Sequence, residues 1–179
     1  SNLKQLEPAS AHNFQCREQQ LQSEAYWMPK ESIQYTSIDE AAHDLRNGLQ
    51  NYISTITNDM DHIAQFISGG EDSRLISALL PKDAQRDAFI FLDGMNREGK
   101  IAKKAAEAYG AEFNLATRSK TFYLDILPEC TDLVGSGSQY AHVHTYSFHK
   151  SCQLAEYSAV FGGLFADALL KGARIKKIR

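Results

Sequence analysis

A short apolar run, Ile63-Ala64-Gln65-Phe66-Ile67, stops abruptly at Ser68-Gly69-Gly70-Glu71-Asp72-Ser73-Arg74, and a helical pattern then continues to Pro81. This junction constrains the fold more than any other stretch. The run reads as a strand, and the two glycines after it allow backbone angles and close approaches that a side chain would forbid. A helix that opens directly behind such a turn points its positive end, and its first free amides, at whatever occupies the turn. Ser68 and Ser73 can add hydroxyl donors. Asp72 is the odd member, because a carboxylate repels a bare phosphate. It makes sense where Mg²⁺ bridges it to a polyphosphate. The loop therefore suits Mg-pyrophosphate, and the absence of a GxxxxGK[ST] sequence separates it from the Walker type.

The same alternation continues along the chain. Ala88 to Leu92 is a second apolar run and reads as a buried strand. Asn96 to Tyr109 carries aliphatic residues at helical spacing, with Gly110 placed to stop the helix. Glu112 to Ala116 reads as a third strand, and Phe122 to Val134 as a weak helix interrupted at Pro128. A glycine-serine loop, Gly135 to Ser138, follows, then a helix over His144 to Tyr157 and a short strand over Ser158 to Phe161. Gly162-Gly163 leads into a last helix from about Ala166. Strands alternating with helices predict an α/β fold with a mostly parallel sheet flanked by helices. Ligands in such sheets sit where strand ends meet helix starts, and both Gly-Gly turns occupy that position.

Ahead of this core, residues 1–36 are polar and glutamine-rich and read as a linker or strand-bearing arm pinned by Tyr26-Trp27, so the ordered domain is placed at 37–179. Ser37 and Glu40 form a capping box before an amphipathic helix whose buried face would hold Ile38, Ala41, Ala42, Leu45, Leu49, Tyr52, Ile53 and Ile56. The 179 residues suffice for one good core. A formal net charge of -3 provides no positive field for nucleic acid or an anionic membrane. No apolar stretch approaches the roughly 20 residues of a membrane span. Cys16, Cys130 and Cys152 form no CxxC pair and suggest neither a disulfide framework nor zinc, which fits a reducing, cytoplasmic setting.

The Ser68–Ser73 loop resembles the SGGxDS signature of the PP-loop ATP pyrophosphatases, which cleave ATP between its α and β phosphates. Further stretches resemble the synthetase domain of asparagine synthases. Tyr26-Trp27 with the following proline looks like the element ahead of that domain's first helix. The segment from Ile63 to Leu80 looks like its first strand, loop and helix, and Ala88 to Gly110 like the next strand and helix. Gly162-Gly163-Leu164-Phe165-Ala166-Asp167-Ala168-Leu169 is similar to its SGEGADEL motif. The resemblance implies a PP-loop three-layer fold, truncated here at its C-terminus, with ATP and Mg²⁺ as cofactors. It assigns ATP phosphates and Mg²⁺ to Ser68, Gly69, Gly70, Asp72 and Ser73, and backbone contacts to adenine near Phe91 and Leu92. Gly162 and Gly163 would lie beside ribose and the α-phosphate, with Asp72 and Asp167 as metal-holding catalytic acids. The implied reaction is adenylation of a small-molecule carboxylate with pyrophosphate release, followed by amide formation with ammonia or an amine. A glutaminase domain is the implied companion in a full-length protein.

The chain departs from that pattern. Leu164 and Ala168 stand where the family motif has glutamates, and Phe165 replaces a glycine. An aliphatic side chain accepts no proton, which points to a divergent substrate. Arg74 stands where a small residue is common, either to clamp an anion or to pair with Glu71. Two other readings follow: a nucleotide-binding module without catalysis, or a PP-loop enzyme acting on tRNA, which the negative charge disfavours. His142, His144 and His149 lack acids or cysteines at ligand spacing and read as lining a substrate pocket rather than a metal. Asp93 reads as a turn residue before Gly94, with contact to ribose or substrate as the alternative. Phe89, Phe91, Phe113 and Phe161 read as core, and the basic ending from Lys171 to Arg179 as a solvated helix face.

Overall fold

The structure, a computed structural model, describes residues 5–28, 35–134 and 143–163. The Gly135–Ser138 loop, His142, the helix expected from Ala166 and the basic ending lie outside them. Contacts divide the chain into two units, Ser1–His43 and Asp44–Arg179. Among the described residues no helix is long and apolar enough to cross a membrane.

In the first unit, β1 (Ser10–Gln15) and β2 (Gln20–Ala25) form an antiparallel hairpin, with Phe14 opposite Leu21. The Tyr26 and Trp27 amides donate to the Ala9 carbonyl at 3.0 and 3.4 Å, while both side chains stay exposed. This pair thus holds the arm through its backbone. The helix α1 (Ile38–Ile56) begins with the expected serine cap, Glu40 N donating to Ser37 Oγ at 3.1 Å. The returning Glu40 carboxylate accepts from Thr36 N and Thr36 Oγ1, one residue earlier than a capping box requires. The face predicted to be buried is buried at one end only. Ile53 is covered, with Leu49 and Ile56 packed beside it, whereas Ile38, Leu45 and Tyr52 are exposed.

The second unit contains a four-stranded, wholly parallel sheet in the order β5-β4-β3-β6. Its strands are β3 (His62–Phe66), β4 (Gln85–Leu92), β5 (Glu112–Thr117) and β6 (Ala159–Phe161). Helices α2 (Glu71–Leu79) and α3 (Arg97–Ala108) fill the first two crossovers. Pro81 follows the extended C-cap Leu80 and ends α2. Asn96 starts α3 by accepting from Gly99 N at 3.0 Å. Gly110 ends it at φ 75°, with Gly110 N donating to Glu107 O and Ala111 N to Ala106 O, the paired bonds of a Schellman stop.

The two faces of the sheet are built differently. On one, Ile67, Ala88, Ile90 and Leu92 meet Ala102, Ala106 and Ala111, small residues that let α3 lie close. Nearby, Ile63 packs with Ile53, Leu79 and Leu80. Arg86, buried on this side, donates to Ser77 O and Leu80 O at the end of α2 and to Tyr109 O at the end of α3. A cation suits helix C-termini, where carbonyls lack intrahelical partners. Burial pulls the guanidinium below its ordinary pKa. The opposite face is aromatic. Phe91 stacks on Phe148 at 4.4 Å, Phe148 on Phe122 at 5.7 Å, and Phe66 meets Phe91 edge-on at 5.3 Å.

The helical stretch is split into α4 (Phe122–Asp125) and α5 (Leu127–Val134), but at Ile126, and Pro128 lies in the first turn of α5, where a missing N–H costs no intrahelical bond. The continuous helix predicted over 144–157 does not form. In its place stand the single turn α6 (Phe148–Ser151) and a 3-10 turn at Leu154–Glu156. Ser147 at φ 67° and Gln153 at φ 50° are left-handed and interrupt a helix at both points.

Candidate functional site

The first glycine turn joins β3 to α2 at the carboxyl edge of the sheet. Its shape is held by its own serines. Ser73, 8% exposed, accepts from Ser68 N through Oγ at 3.0 Å, and the two hydroxyls share a bond of 3.0 Å. Gly70 N donates to Ser68 Oγ at 3.1 Å. Ser73 Oγ is thus engaged inside the loop and braces it. Gly70 is the N-cap of α2 and gives no side-chain cap. A Cβ on Gly70 would stand 3.2 Å from Ser68 Oγ, so the turn has no room for a side chain there without adjustment.

Gln65 is the residue that sequence reasoning misses. It sits on β3, 2% exposed, and its Nε2 donates to Ser73 O and to Ser77 Oγ, both at 2.7 Å. The amide pins the first turns of α2 to the strand that precedes them. Its only sequence signal is an amide inside an apolar run.

The second turn follows β6, and the fold brings it onto the first, far away in sequence. Asp72 and Ser73 of the first turn meet Gly163 of the second. A Cβ on Gly163 would lie 3.1 Å from Asp72 Cβ and 3.4 Å from Ser73 N. Gly162 stands near the Phe66 ring, at 3.7 Å by the same measure.

The adenine-facing positions expected on the next strand lie at the same edge. β4 pairs with β3 as far as Phe89 and runs on through Ile90, Phe91 and Leu92 beside β5 alone. Phe91 belongs to the aromatic face, and Leu92 is buried against Gly99 of α3. Gly69 sits against the first turn of α3, where a Cβ would lie 3.4 Å from Glu98 Cγ. An open cleft of about 470 Å³ is lined there by Gly69, Asn96, Arg97, Glu98 and Ile101. Asp167, Leu164, Phe165 and Ala168 lie outside the described residues.

Other candidates fall into structural roles. Arg74 Nε donates to Gly70 O at 3.1 Å, a bond to the turn itself that neither expected role includes. Asp93 pairs with Arg118 at 2.8 Å, its side chain 82% exposed, which favours the turn reading over a ligand contact. Among the described residues no group of three or more His, Cys, Asp or Glu could hold a metal ion, so His144 and His149 join no such cluster. Burial pushes the Cys130 thiol up, with Glu129 adding to it, and burial also pushes Cys152 up.

The sequence matches no family model and no curated protein. In backbone arrangement the chain is similar to an NH3-dependent NAD synthetase from Campylobacter jejuni in complex with nitrate, at 14% identity and a TM-score of 0.48, over 73% of this chain and 59% of that one. It is also similar to a glutamine-dependent NAD+ synthetase from Acinetobacter baumannii in complex with ADP, at 13% identity and a TM-score of 0.43, over 83% of this chain and 29% of that one. The chain thus spans less than two thirds of the length of either. At these values the likeness says nothing of activity.

Proposed function

We propose that the chain binds ATP with Mg²⁺ between its two glycine turns and adenylates a small-molecule carboxylate, releasing pyrophosphate. Ammonia or an amine then displaces AMP and forms an amide. The observation that carries this reading is the seat of Gly163 against Asp72 and Ser73, at the start of α2 and the carboxyl edge of a parallel sheet. The residues fit such a ligand. Gly70 leaves the first amides of α2 without a side-chain cap, and Gly163, lacking a Cβ, lets the second turn approach Asp72 and Ser73 closely.

In this reading the backbone of Ser68, Gly69, Gly70 and Ser73 cradles phosphate oxygens. The strand end at Phe91 and Leu92 faces adenine, and Gly162-Gly163 lies beside ribose and the α-phosphate. Asp72 and Asp167 hold Mg²⁺, which when bound neutralises polyphosphate charge. Catalysis rests on positioning and on charge stabilisation at the α-phosphate. An asparagine synthase-like reaction on a divergent carboxylate, with ammonia supplied by a glutaminase domain elsewhere, is the finer form of the proposal. Leu164 and Ala168 favour a second reading, a module that binds nucleotide without turnover.

Calorimetry with Mg-ATP tests the site. The wild-type chain should bind only with metal present, and Asp72→Asn should weaken binding roughly tenfold or more. Equal binding by both proteins would sink the assignment of Asp72. Pyrophosphate release in the presence of candidate carboxylates then separates the enzyme from the binding module.

A further inference from the structure

At the amino end of the sheet, away from the glycine turns, Asp87 gathers groups from neighbouring strands and strand ends. It is 7% exposed, and its Oδ2 lies 2.9 Å from His62 Nε2 and accepts from Tyr157 OH at 2.9 Å. Asn114 Nδ2 donates to Oδ1 at 3.3 Å. The His62 and Tyr157 rings pack at 4.3 Å, and Ser158 N donates to His62 O at 2.9 Å. Tyr157 lies just ahead of β6, so these contacts tie the start of that edge strand across β3 to β4.

β6 needs such a tie. It pairs with β3 through Ala159, Val160 and Phe161, all apolar. Only three residues long and without a polar residue, it has little alternation to set its register beyond the packing of Phe161 near Ile63. A slip of one residue would shift the following turn by about 3.3 Å. Gly163 tolerates no such shift, given its closeness to Asp72.

We propose that Asp87, with His62 and Tyr157, sets the register of β6 and so positions the Gly162-Gly163 turn over α2, a role that rests on the nucleotide reading above. These are positioning residues: none is placed at the ligand. Tyr157→Phe is the informative variant, since it removes one hydroxyl and keeps the ring against His62 and Phe89.

The test combines Mg-ATP calorimetry with amide hydrogen exchange on the whole chain. Tyr157→Phe should lower affinity roughly tenfold, the factor that one hydrogen bond to a charged group carries. Exchange should speed up at Ala159–Phe161 while β3 and β4 stay protected. Asp87→Asn should repeat the pattern. Wild-type affinity and wild-type β6 exchange in Tyr157→Phe would overturn the proposal, as would faster exchange spread evenly over the sheet. A wild-type chain that does not bind Mg-ATP would refute the nucleotide reading instead, and β6 exchange would then decide the register claim by itself.

Discussion

The two glycine turns meet in space but are held by different means. The first is braced from within, by Ser68 and Ser73, and from below by Gln65 on the strand that leads into it. The second has no such bracing among the described residues, and depends on a short edge strand tied down at its far end. The proposed site thus has one wall held locally and one wall held from a distance. The difference predicts that damage to the first turn costs stability, whereas damage to the second costs ligand affinity with stability little changed.

Gln65→Leu should produce the largest effect on stability. It takes the Gln65 amide away from Ser73 O and the Ser77 hydroxyl, which keep only their 3.2 Å bond to each other among side-chain contacts, a loss of about 2 kcal/mol. Adding Ser77→Ala removes a buried hydroxyl that has lost both of its bonds to Gln65 and should recover part of that loss. Urea unfolding of the two single variants and the double variant measures the coupling. Simple additivity would show that the amide does not act through Ser77.

Gly163→Ala tests the other wall. The new Cβ would stand 3.1 Å from Asp72 Cβ, so the turn must give slightly to admit it. Stability should stay within about 0.5 kcal/mol of wild type. Mg-ATP affinity should fall severalfold by calorimetry. A variant that loses stability and keeps affinity would reverse the comparison.

Much of the first wall is legible in the sequence, because its parts are adjacent: an apolar run, two glycines and a helix start. The end of α3 is legible for the same reason, Gly110 lying directly after its last turn. What stays hidden depends on distant partners. Asp87 and Tyr157 are 70 residues apart, and neither carries a local pattern. Gln65 looks like an interruption of a strand until α2 folds over it. The stretch 144–157 has helical spacing, but Ser147 and Gln153 adopt left-handed angles that spacing does not reveal. The exposed half of α1 teaches a related point: a periodic apolar face shows what a helix can bury, not what covers it.

The smallest predicted effect concerns pH and probes the tie on β6. Burial first, and then the bond to Asp87, push the Tyr157 phenol up from its ordinary 10.0 to about 12. Between these values the folded chain keeps a proton that the unfolded chain releases. Stability therefore falls as pH rises through this window, and the contribution is fully present below it. Tyr157→Phe has no such proton to keep, so its stability should decline less across the same range. Comparing the two proteins cancels the titration of the other tyrosines, and urea midpoints below and within the window supply the measurement. Parallel declines would mean that the phenol does not act as the donor that fastens β6 to Asp87.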